Sequence, residues 1–134
     1  MSTTINGSCL CGAVKYSVPD AFEAAFNCHC SECRRATGSA FKTMAAIAFD
    51  KITLTDGQDD LLVYGAPPDS HDVHCGRCGS FLYSYIAQSG IAHVAMGTLV
   101  DVPSIRPQFH MFVGSKAPWY EIADQLPQFE SFPE

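Results

Sequence analysis

The chain has 134 residues, of which 47% are hydrophobic and 16% are charged. This composition excludes an intrinsically disordered chain and predicts a single folded domain over residues 1–134. Asp and Glu outnumber Lys and Arg by 14 to 8, for a net charge of −6, so we expect no nucleic-acid partner.

The start of the chain and its apolar runs bear on targeting. Residues 1–6 contain no basic segment and no apolar segment of the kind found in secretory signals. The longest uninterrupted apolar run, residues 44–49, is far shorter than the roughly 18 residues that suggest a membrane span. We therefore expect a cytoplasmic protein without a membrane partner, in a compartment where cysteine thiols stay reduced.

In chain order, most segments alternate apolar and polar residues with the period of two that is typical of half-buried β-strands. The first example is Val14, Tyr16 and Val18. Aromatic and β-branched side chains, which favour strands, dominate the later segments. The predicted strands cover residues 14–18, 43–49, 52–54, 61–64, 81–85, 91–96 and 109–113. Turn-forming residues between them predict an all-β fold, either a sandwich or a barrel-like pair of sheets.

Two short helices are also predicted. Ser31 is a candidate N-cap for a helix that ends at Gly38. Pro118 is a suitable first residue for a second helix over residues 119–125. Each would have only a turn or two.

The seven cysteines are the most unusual feature of the sequence. An odd number excludes complete disulfide pairing within the chain, and clustered cysteines in a reducing compartment more often bind metal. Two lie in residues 9–12, three in residues 28–33 and two in residues 75–79. The two pairs together supply the four thiolates of one tetrahedral zinc site, which leaves three cysteines for a second metal.

The first candidate site, the four-cysteine group, combines Cys9 and Cys11 with Cys75 and Cys78. Cys75 and Cys78 have the Cys-x-x-Cys spacing of a metal-binding turn, and the glycine after each of them can adopt the positive φ that such turns need. If residues 9–11 are extended, Cys9 and Cys11 point to the same face of a strand. The alternative is that all four are buried free cysteines, which act as small hydrophobic side chains.

The second candidate site is the triplet Cys28, Cys30 and Cys33. Three ligands from one short segment would leave one metal position open, as in catalytic zinc sites. A helix start and two following arginines would favour thiolates and a nearby anion. One alternative is a redox-active thiol cluster without metal, and the other is a closed structural site with a histidine as fourth ligand. The candidates for that ligand are His71, His74 and His110.

Other residues near these motifs receive structural interpretations. His29, between two cysteines of the triplet, is interpreted as an orienting or solvent-facing residue. His93, within a predicted strand, is interpreted as a hydrogen-bonded residue of the sheet. Phe129 and Phe132 are interpreted as anchors of the C-terminal segment.

Three segments, in their order along the chain, resemble one known family. They are GSCLCGAV at residues 7–14, CHCSECRRATGSAF at residues 28–41 and CGRCG at residues 75–79. The chain resembles the glutathione-dependent formaldehyde-activating enzyme family, whose domain also occurs in centromere protein V. Later landmarks, among them GTLVD at residues 97–101 and Trp119, extend the resemblance over nearly the whole chain.

The resemblance implies an all-β fold of the β-tent type and two zinc ions per chain. It implies a structural zinc at the four-cysteine group and a catalytic zinc at the triplet Cys28, Cys30 and Cys33. The family is classed with carbon–sulfur lyases and is named for the reaction that splits S-(hydroxymethyl)glutathione into glutathione and formaldehyde. It therefore implies an enzyme whose partner is a small-molecule thiol, with glutathione as co-substrate.

Glutathione is anionic and the chain has a net charge of −6, so binding glutathione requires local positive charge. Arg34, Arg35 and Lys42 flank the triplet and are candidates for this role. Two other classes of protein stay open on the sequence. One is a zinc-stabilised binding module in which both metals are structural, and the other is a thiol-redox protein that releases zinc when disulfides form. No feature of the sequence assigns an oligomeric state.

Overall fold

The computed structural model describes residues 3–133, which form ten β-strands and one α-helix. The strands are β1 (Thr4–Ser8), β2 (Lys15–Pro19), β3 (Ala24–Cys28), β4 (Lys42–Ala48), β5 (Thr53–Asp56), β6 (Leu61–Gly65), β7 (His71–Cys75), β8 (Phe81–Ile86), β9 (Ile91–Ala95) and β10 (His110–Met111). The helix α1 (Ser31–Thr37) connects β3 to β4. Across these residues, no helix combines the length and apolar character needed to cross a membrane.

The strands form two sheets. The small sheet has three antiparallel strands in the order β1-β2-β5. The large sheet has seven strands in the order β10-β3-β4-β9-β8-β7-β6, in which the β10–β3 pair is parallel and the other pairs are antiparallel. The prediction of an all-β fold with very little helix is confirmed.

The two sheets share a hydrophobic core. Its most buried side chains, each at most 2% exposed, include Ile5, Tyr16 and Val18 from the small sheet and Val73, Leu82 and Val94 from the large sheet. Burial of a side chain of this size contributes about 1.5–3 kcal/mol to folding. This core therefore holds the small sheet against the large one.

Strand β4, an inner strand of the large sheet, separates this core from a second apolar cluster. Residues 44–47 are all buried, as expected for a strand that is covered on both faces. Ile47 belongs to the shared core, whereas Met44 belongs to the second cluster, which also contains Phe26, Cys28 and Met111. Successive side chains of a strand point to opposite faces, so the two clusters lie on opposite faces of the large sheet. Cys28 of the triplet belongs to the second cluster and therefore lies on the face away from the shared core.

Strand prediction succeeded where apolar residues alternate. All seven predicted strands occur, with end points shifted by a few residues, although the last is reduced to the two residues of β10. Three further strands, β1, β3 and β7, were not predicted. β1 has the sequence TINGS and β7 has the sequence HDVHC, so each contains too few apolar residues for a visible alternation.

The first predicted helix is confirmed as α1, and Gly38 ends it in the left-handed conformation with φ of 63°. The N-cap is Cys30, so the prediction of Ser31 as N-cap was wrong. Cys30 Sγ accepts a hydrogen bond from the backbone N–H of Cys33 at 3.3 Å. The thiol sulfur of Cys30 thus accepts the N-cap hydrogen bond that a serine hydroxyl often accepts.

The prediction of a second helix over residues 119–125 was wrong, since this segment has no helical structure. The Lys116 ammonium donates to the carbonyl oxygens of Ala117 and Tyr120. The Ala117 carbonyl oxygen also accepts the Tyr120 N–H at 3.1 Å, which closes a turn between residues three apart instead of the four-residue spacing of an α-helix. Most side chains of the segment are exposed, so no apolar face stabilises a helix there.

Candidate metal centres and the adjoining cavity

The four-cysteine group lies where turns from the two sheets approach each other. Cys9 and Cys11 lie in the turn after β1, Cys75 is the last residue of β7, and Cys78 lies in the next turn. Their four Sγ atoms all lie within 4.8 Å of one another. The Sγ–Sγ distance is 3.7 Å between Cys9 and Cys11 and 3.8 Å between Cys11 and Cys75.

These distances fit one tetrahedral zinc ion. With Zn–S bonds of about 2.3 Å, two sulfurs on a tetrahedron are about 3.8 Å apart. Thiolates are also ligands that zinc prefers. A metal in this group would connect the turn after β1 to the end of β7, and therefore the small sheet to the large sheet.

The local backbone differs from the expectation at two points. Residues 9–11 lie in a turn and not in a strand, so the two sulfurs do not meet through the same-face arrangement that an extended segment would give. Gly12 has φ of 84° and donates its N–H to the Cys9 carbonyl at 3.3 Å, which folds the turn tightly enough to bring the two sulfurs together. Of the two glycines predicted to have positive φ, Gly79 does, at 82°, and Gly76 does not.

Hydrogen bonds to sulfur favour the thiolates of Cys9 and Cys78 in this group. The Val14 N–H donates to Cys9 Sγ at 3.2 Å. Ser80 Oγ lies 3.3 Å from Cys78 Sγ, and this hydrogen bond is the main reason that the pKa of Cys78 is lowered to about 5. Ser80 Oγ also accepts the Leu10 N–H at 2.9 Å, so one hydroxyl links the two cysteine-containing turns.

The triplet lies at the end of β3 and the start of α1. Cys28 is the last residue of β3, Cys30 is the N-cap of α1, and Cys33 lies in its first turn. The three Sγ atoms lie within 4.8 Å of one another and could hold a metal ion. A hydrogen bond from the Cys33 thiol is the main reason that the pKa of Cys28 is lowered to about 6. One thiolate of the triplet is therefore present at neutral pH.

The triplet borders a cavity of about 350 Å³, which is within the size range of small-molecule sites. Cys28, Cys30 and Cys33 all line it. Apolar walls come from Met44, Phe81, Ile86, Met111 and Phe112. Polar groups come from Glu32, Lys42, Asp72, Ser84 and His93. The triplet sulfurs are therefore placed beside a space that can take a small molecule.

Of the three cations predicted to attract an anionic substrate, Lys42 is the one that lines this cavity. Burial lowers the pKa of Lys42 to about 8, so its amine is still mostly charged at pH 7. Burial also lowers the pKa of His93 to about 4, with a further contribution from the Lys42 charge. Arg34 donates to the Ser115 carbonyl at 3.2 Å. Lys42 thus supplies positive charge to the cavity, while His93 is neutral.

A protein-family model described as "Glutathione-dependent formaldehyde-activating enzyme" matches residues 4–115. The chain belongs to this family. A Halomonas elongata protein named "Putative glutathione-dependent formaldehyde-activating enzyme" is 28% identical over an alignment of 136 positions. The alignment covers 88% of this chain and 80% of that protein. A crystal structure of a Rhodobacter sphaeroides protein has a TM-score of 0.60 at 23% identity, over 74% of this chain and 91% of that chain, so the two share a fold.

All seven cysteines of this formaldehyde-activating family member lie within the matched residues, whereas the C-terminal segment lies beyond them. That segment nevertheless contributes to the cavity. Phe132 lines it and packs edge-to-face on Phe112, with ring centroids 4.8 Å apart. Phe129 packs on Phe109 in the same manner at 5.7 Å. The half-buried Phe129 agrees with the interpretation as an anchor, whereas the Phe132 side chain is 68% exposed.

Behind the triplet, His29 is fully buried, so it is not solvent-facing. Its Nε2 lies 2.8 Å from His110 Nδ1, and His110 Nε2 lies 3.0 Å from a carboxylate oxygen of Asp124. A carboxylate only accepts, so His110 Nε2 donates to it, and in neutral His110 the Nδ1 then accepts from His29. This chain orients His29, and burial lowers the pKa of His29 to about 4.

The histidines proposed as a fourth triplet ligand have other positions. Within residues 3–133, the potential metal-binding group at the triplet contains the three cysteines alone. His110 is paired with His29 and Asp124, and His71 Nδ1 lies 2.7 Å from the Asp69 carbonyl oxygen. The His74 ring packs on Phe81, with ring centroids 4.3 Å apart. The closed-site alternative therefore has no fourth protein ligand in the part of the chain that is described.

Proposed function

We propose that this protein is a zinc-dependent carbon–sulfur lyase that acts on the adduct of formaldehyde with glutathione or a similar small thiol. Membership of the formaldehyde-activating family supports this reaction. The observation that carries the proposal is the position of the triplet, which borders a cavity of small-molecule size. In that position, an external thiol has access to a metal with only three protein ligands.

In this proposal the two cysteine groups have different roles. The four-cysteine group holds a structural zinc, because four thiolates complete its coordination. The triplet holds a catalytic zinc, because three thiolates leave a position for the substrate sulfur. The ligands are Cys9, Cys11, Cys75 and Cys78 at the first site and Cys28, Cys30 and Cys33 at the second. The core shared by the two sheets supports the further proposal that the chain acts as one domain.

The reaction makes or breaks one S–C bond. Zinc bound at the triplet would lower the pKa of an added thiol and so favour its thiolate form. When the adduct forms, the thiolate electron pair bonds to the carbonyl carbon, the C=O π pair moves to the oxygen, and the oxygen takes up a proton. Lysis is the reverse. The cavity walls hold both reactants side by side, which replaces a bimolecular encounter with a positioned reaction.

The activity is tested by measuring how fast glutathione, formaldehyde and their adduct exchange at equilibrium. We expect NMR exchange spectroscopy to show faster interconversion with the wild-type protein than without it. Cys33→Ser removes one triplet sulfur and should return the rate to the uncatalysed value. An unchanged rate at saturating wild-type protein would leave the family and the fold in place but would rule out this reaction.

Metal content tests the division of the cysteines. Elemental analysis of protein purified without chelator should show about two zinc equivalents per chain, because two groups of thiolates are present. Partial loss is expected first from the triplet, which has one ligand fewer. Iron in place of zinc, or at most one metal in fully loaded protein, would contradict the assignment of two zinc sites.

A further inference from the structure

Lys42 lies in the cavity beside the triplet, and its surroundings are unusual for a buried charge. It is the register partner of Cys28 in the β3–β4 pair, and both residues line the cavity. Its exposure is 4%, and within residues 3–133 its ammonium forms no ion pair with a carboxylate. Burial lowers the pKa of Lys42 although the charges of Asp72 and of the triplet sulfurs favour the ammonium, so the buried charge reduces the free energy of unfolding. Stability alone would therefore favour an apolar residue at this position.

Two contacts hold the ammonium of Lys42 in place. Its Nζ lies 3.3 Å from the centroid of the Phe81 ring and donates a hydrogen bond to Ser84 Oγ at 3.1 Å. The Ser84 hydroxyl donates in turn to Asp72 Oδ1 at 2.7 Å, so its lone pairs are left to accept from Lys42. The ring face and this chain of hydrogen bonds keep the charge at one point on the cavity wall.

The ammonium still has hydrogen-bonding capacity for a ligand. An ammonium has three N–H donors. Among the described residues, the Lys42 ammonium donates to one acceptor, the Ser84 hydroxyl. Neighbouring walls such as Met44 and Met111 are apolar. In such surroundings a hydrogen bond to an oxygen that gains negative charge is stronger than in water.

We propose that Lys42 is a catalytic residue that binds the oxygen of the one-carbon group. This inference rests on the proposed function. The ammonium donates a hydrogen bond to the carbonyl oxygen of the aldehyde and to the hydroxyl oxygen of the adduct. Ser84 is a positioning residue, because it acts on the substrate only through Lys42.

The role of Lys42 depends on where negative charge forms during the reaction. As the S–C bond forms, the C=O π pair moves to the oxygen, and negative charge grows beside the ammonium. The thiol proton has left to solvent, and a water molecule supplies the proton of the new hydroxyl group. Lys42 keeps its own protons throughout and stabilises the charge by hydrogen bonding. In lysis the same contact stabilises the oxygen as the hydroxyl proton departs.

The variant Lys42→Met tests this contact, because it removes the charge and keeps a side chain of similar length. We expect the exchange rate at saturating glutathione and formaldehyde to fall about 100-fold, as when one oxyanion-binding donor is removed. The glutathione concentration for half-maximal rate should rise by a smaller factor than the rate falls, because the triplet still holds the thiol after the charge is lost. The matched control is Lys51→Met, since Lys51 is exposed and lies outside the cavity. Zinc content and melting temperature are measured on both variants.

A second measurement does not depend on turnover. Formate is a one-carbon anion whose oxygens can accept a hydrogen bond from Lys42. In zinc-loaded protein labelled with ¹⁵N-lysine, formate should shift the ammonium signal of Lys42 and leave that of Lys51 unchanged. Ser84→Ala should weaken this response and lower the exchange rate by a smaller factor than Lys42→Met. These results test the contact even where Lys42→Met fails to fold.

The outcomes separate this inference from the proposed function. A wild-type rate in folded, zinc-loaded Lys42→Met would overturn the role of Lys42, and so would a Lys42 signal that does not respond to formate. If the wild-type protein itself does not accelerate the exchange, the proposed function fails together with the catalytic role. A formate shift at Lys42 in that case would still support an oxygen-binding site in the cavity.

Discussion

Replacing Cys75 or Cys11 by serine is expected to lower the melting temperature sharply or to prevent soluble folding. The two residues lie 64 positions apart, Cys11 in the turn after β1 of the small sheet and Cys75 at the end of β7 in the large sheet. A metal between them closes a long loop and so constrains the unfolded chain. Binding of structural zinc is worth about 10–16 kcal/mol in small zinc-dependent domains. This is as large as the whole stability of an ordinary domain, about 5–15 kcal/mol, so loss of one ligand should be severe.

The triplet variants should behave differently. Cys30 and Cys33 are only three positions apart, and α1, which contains Cys33, buries no residue in the core. A metal there closes a short loop and connects no distant strands. We therefore expect Cys30→Ser and Cys33→Ser to give folded proteins that keep one zinc and lose thiol binding.

The comparison needs melting temperature, zinc content and thiol binding for all seven single serine variants. Because all seven variants carry the same change from sulfur to oxygen, the variants of one cysteine group are the control for those of the other. Triplet variants that unfold as readily as variants of the four-cysteine group would show that the second site is structural. In that case the interpretation as a zinc-stabilised binding module would replace that of an enzyme.

The triplet and the two cysteine pairs could be predicted because each depends on short-range spacing, whereas the joining of the two pairs, 64 positions apart, followed from the four ligands that one zinc requires. Cys28, Cys30 and Cys33 meet within a strand end and one helical turn, and Cys75 and Cys78 meet within one turn. The structure brings together the same two groups that the sequence predicted. Their roles as zinc ligands stay predictions until metal is measured.

The surroundings of the triplet could not be predicted in the same way. The sequence indicated Lys42 only as one of three nearby cations, because its partners come from distant strands. Asp72 lies in β7 and Ser84 in β8, and β7 was not predicted since polar residues obscure its alternation. The pair His110 and Asp124 likewise reaches His29 only through folding of the C-terminal segment. No local sequence pattern indicates such contacts between residues that are far apart in the chain.

Gly7→Ala is expected to destabilise the protein through a direct clash in the small sheet. Gly7 and Tyr16 are register partners in the β1–β2 pair, and the ring of Tyr16 crosses over Gly7. The Tyr16 hydroxyl lies 2.6 Å from Thr98 Oγ1, and the side chain is 1% exposed. A methyl group on residue 7 would overlap the ring and displace it. Overpacking and a lost buried hydrogen bond together should reduce the free energy of unfolding by about 3 kcal/mol.

The matched control is Gly97→Ala, beside Thr98. A Cβ at Gly97 meets no atom within 4 Å, and neither Gly7 nor Gly97 has a positive φ, so the two substitutions differ in the space available. Gly97→Ala should leave stability unchanged or raise it by about 0.4–1 kcal/mol, because alanine restricts the unfolded chain. Thermal or urea unfolding measures both variants. A cost at Gly7 no larger than that at Gly97 would contradict the clash.

The small sheet also positions the turn that contains Cys9 and Cys11, so the clash at residue 7 should also displace sulfurs of the four-cysteine group. We expect Gly7→Ala to lose zinc to a chelator faster than the wild type, while Gly97→Ala does not. Tyr16→Leu removes the ring atoms that the new methyl group would meet. In that background Gly7→Ala should cost much less, and the coupling free energy of the double-mutant cycle measures the clash itself. Equal costs in both backgrounds would mean that the loss of stability arises elsewhere in the sheet.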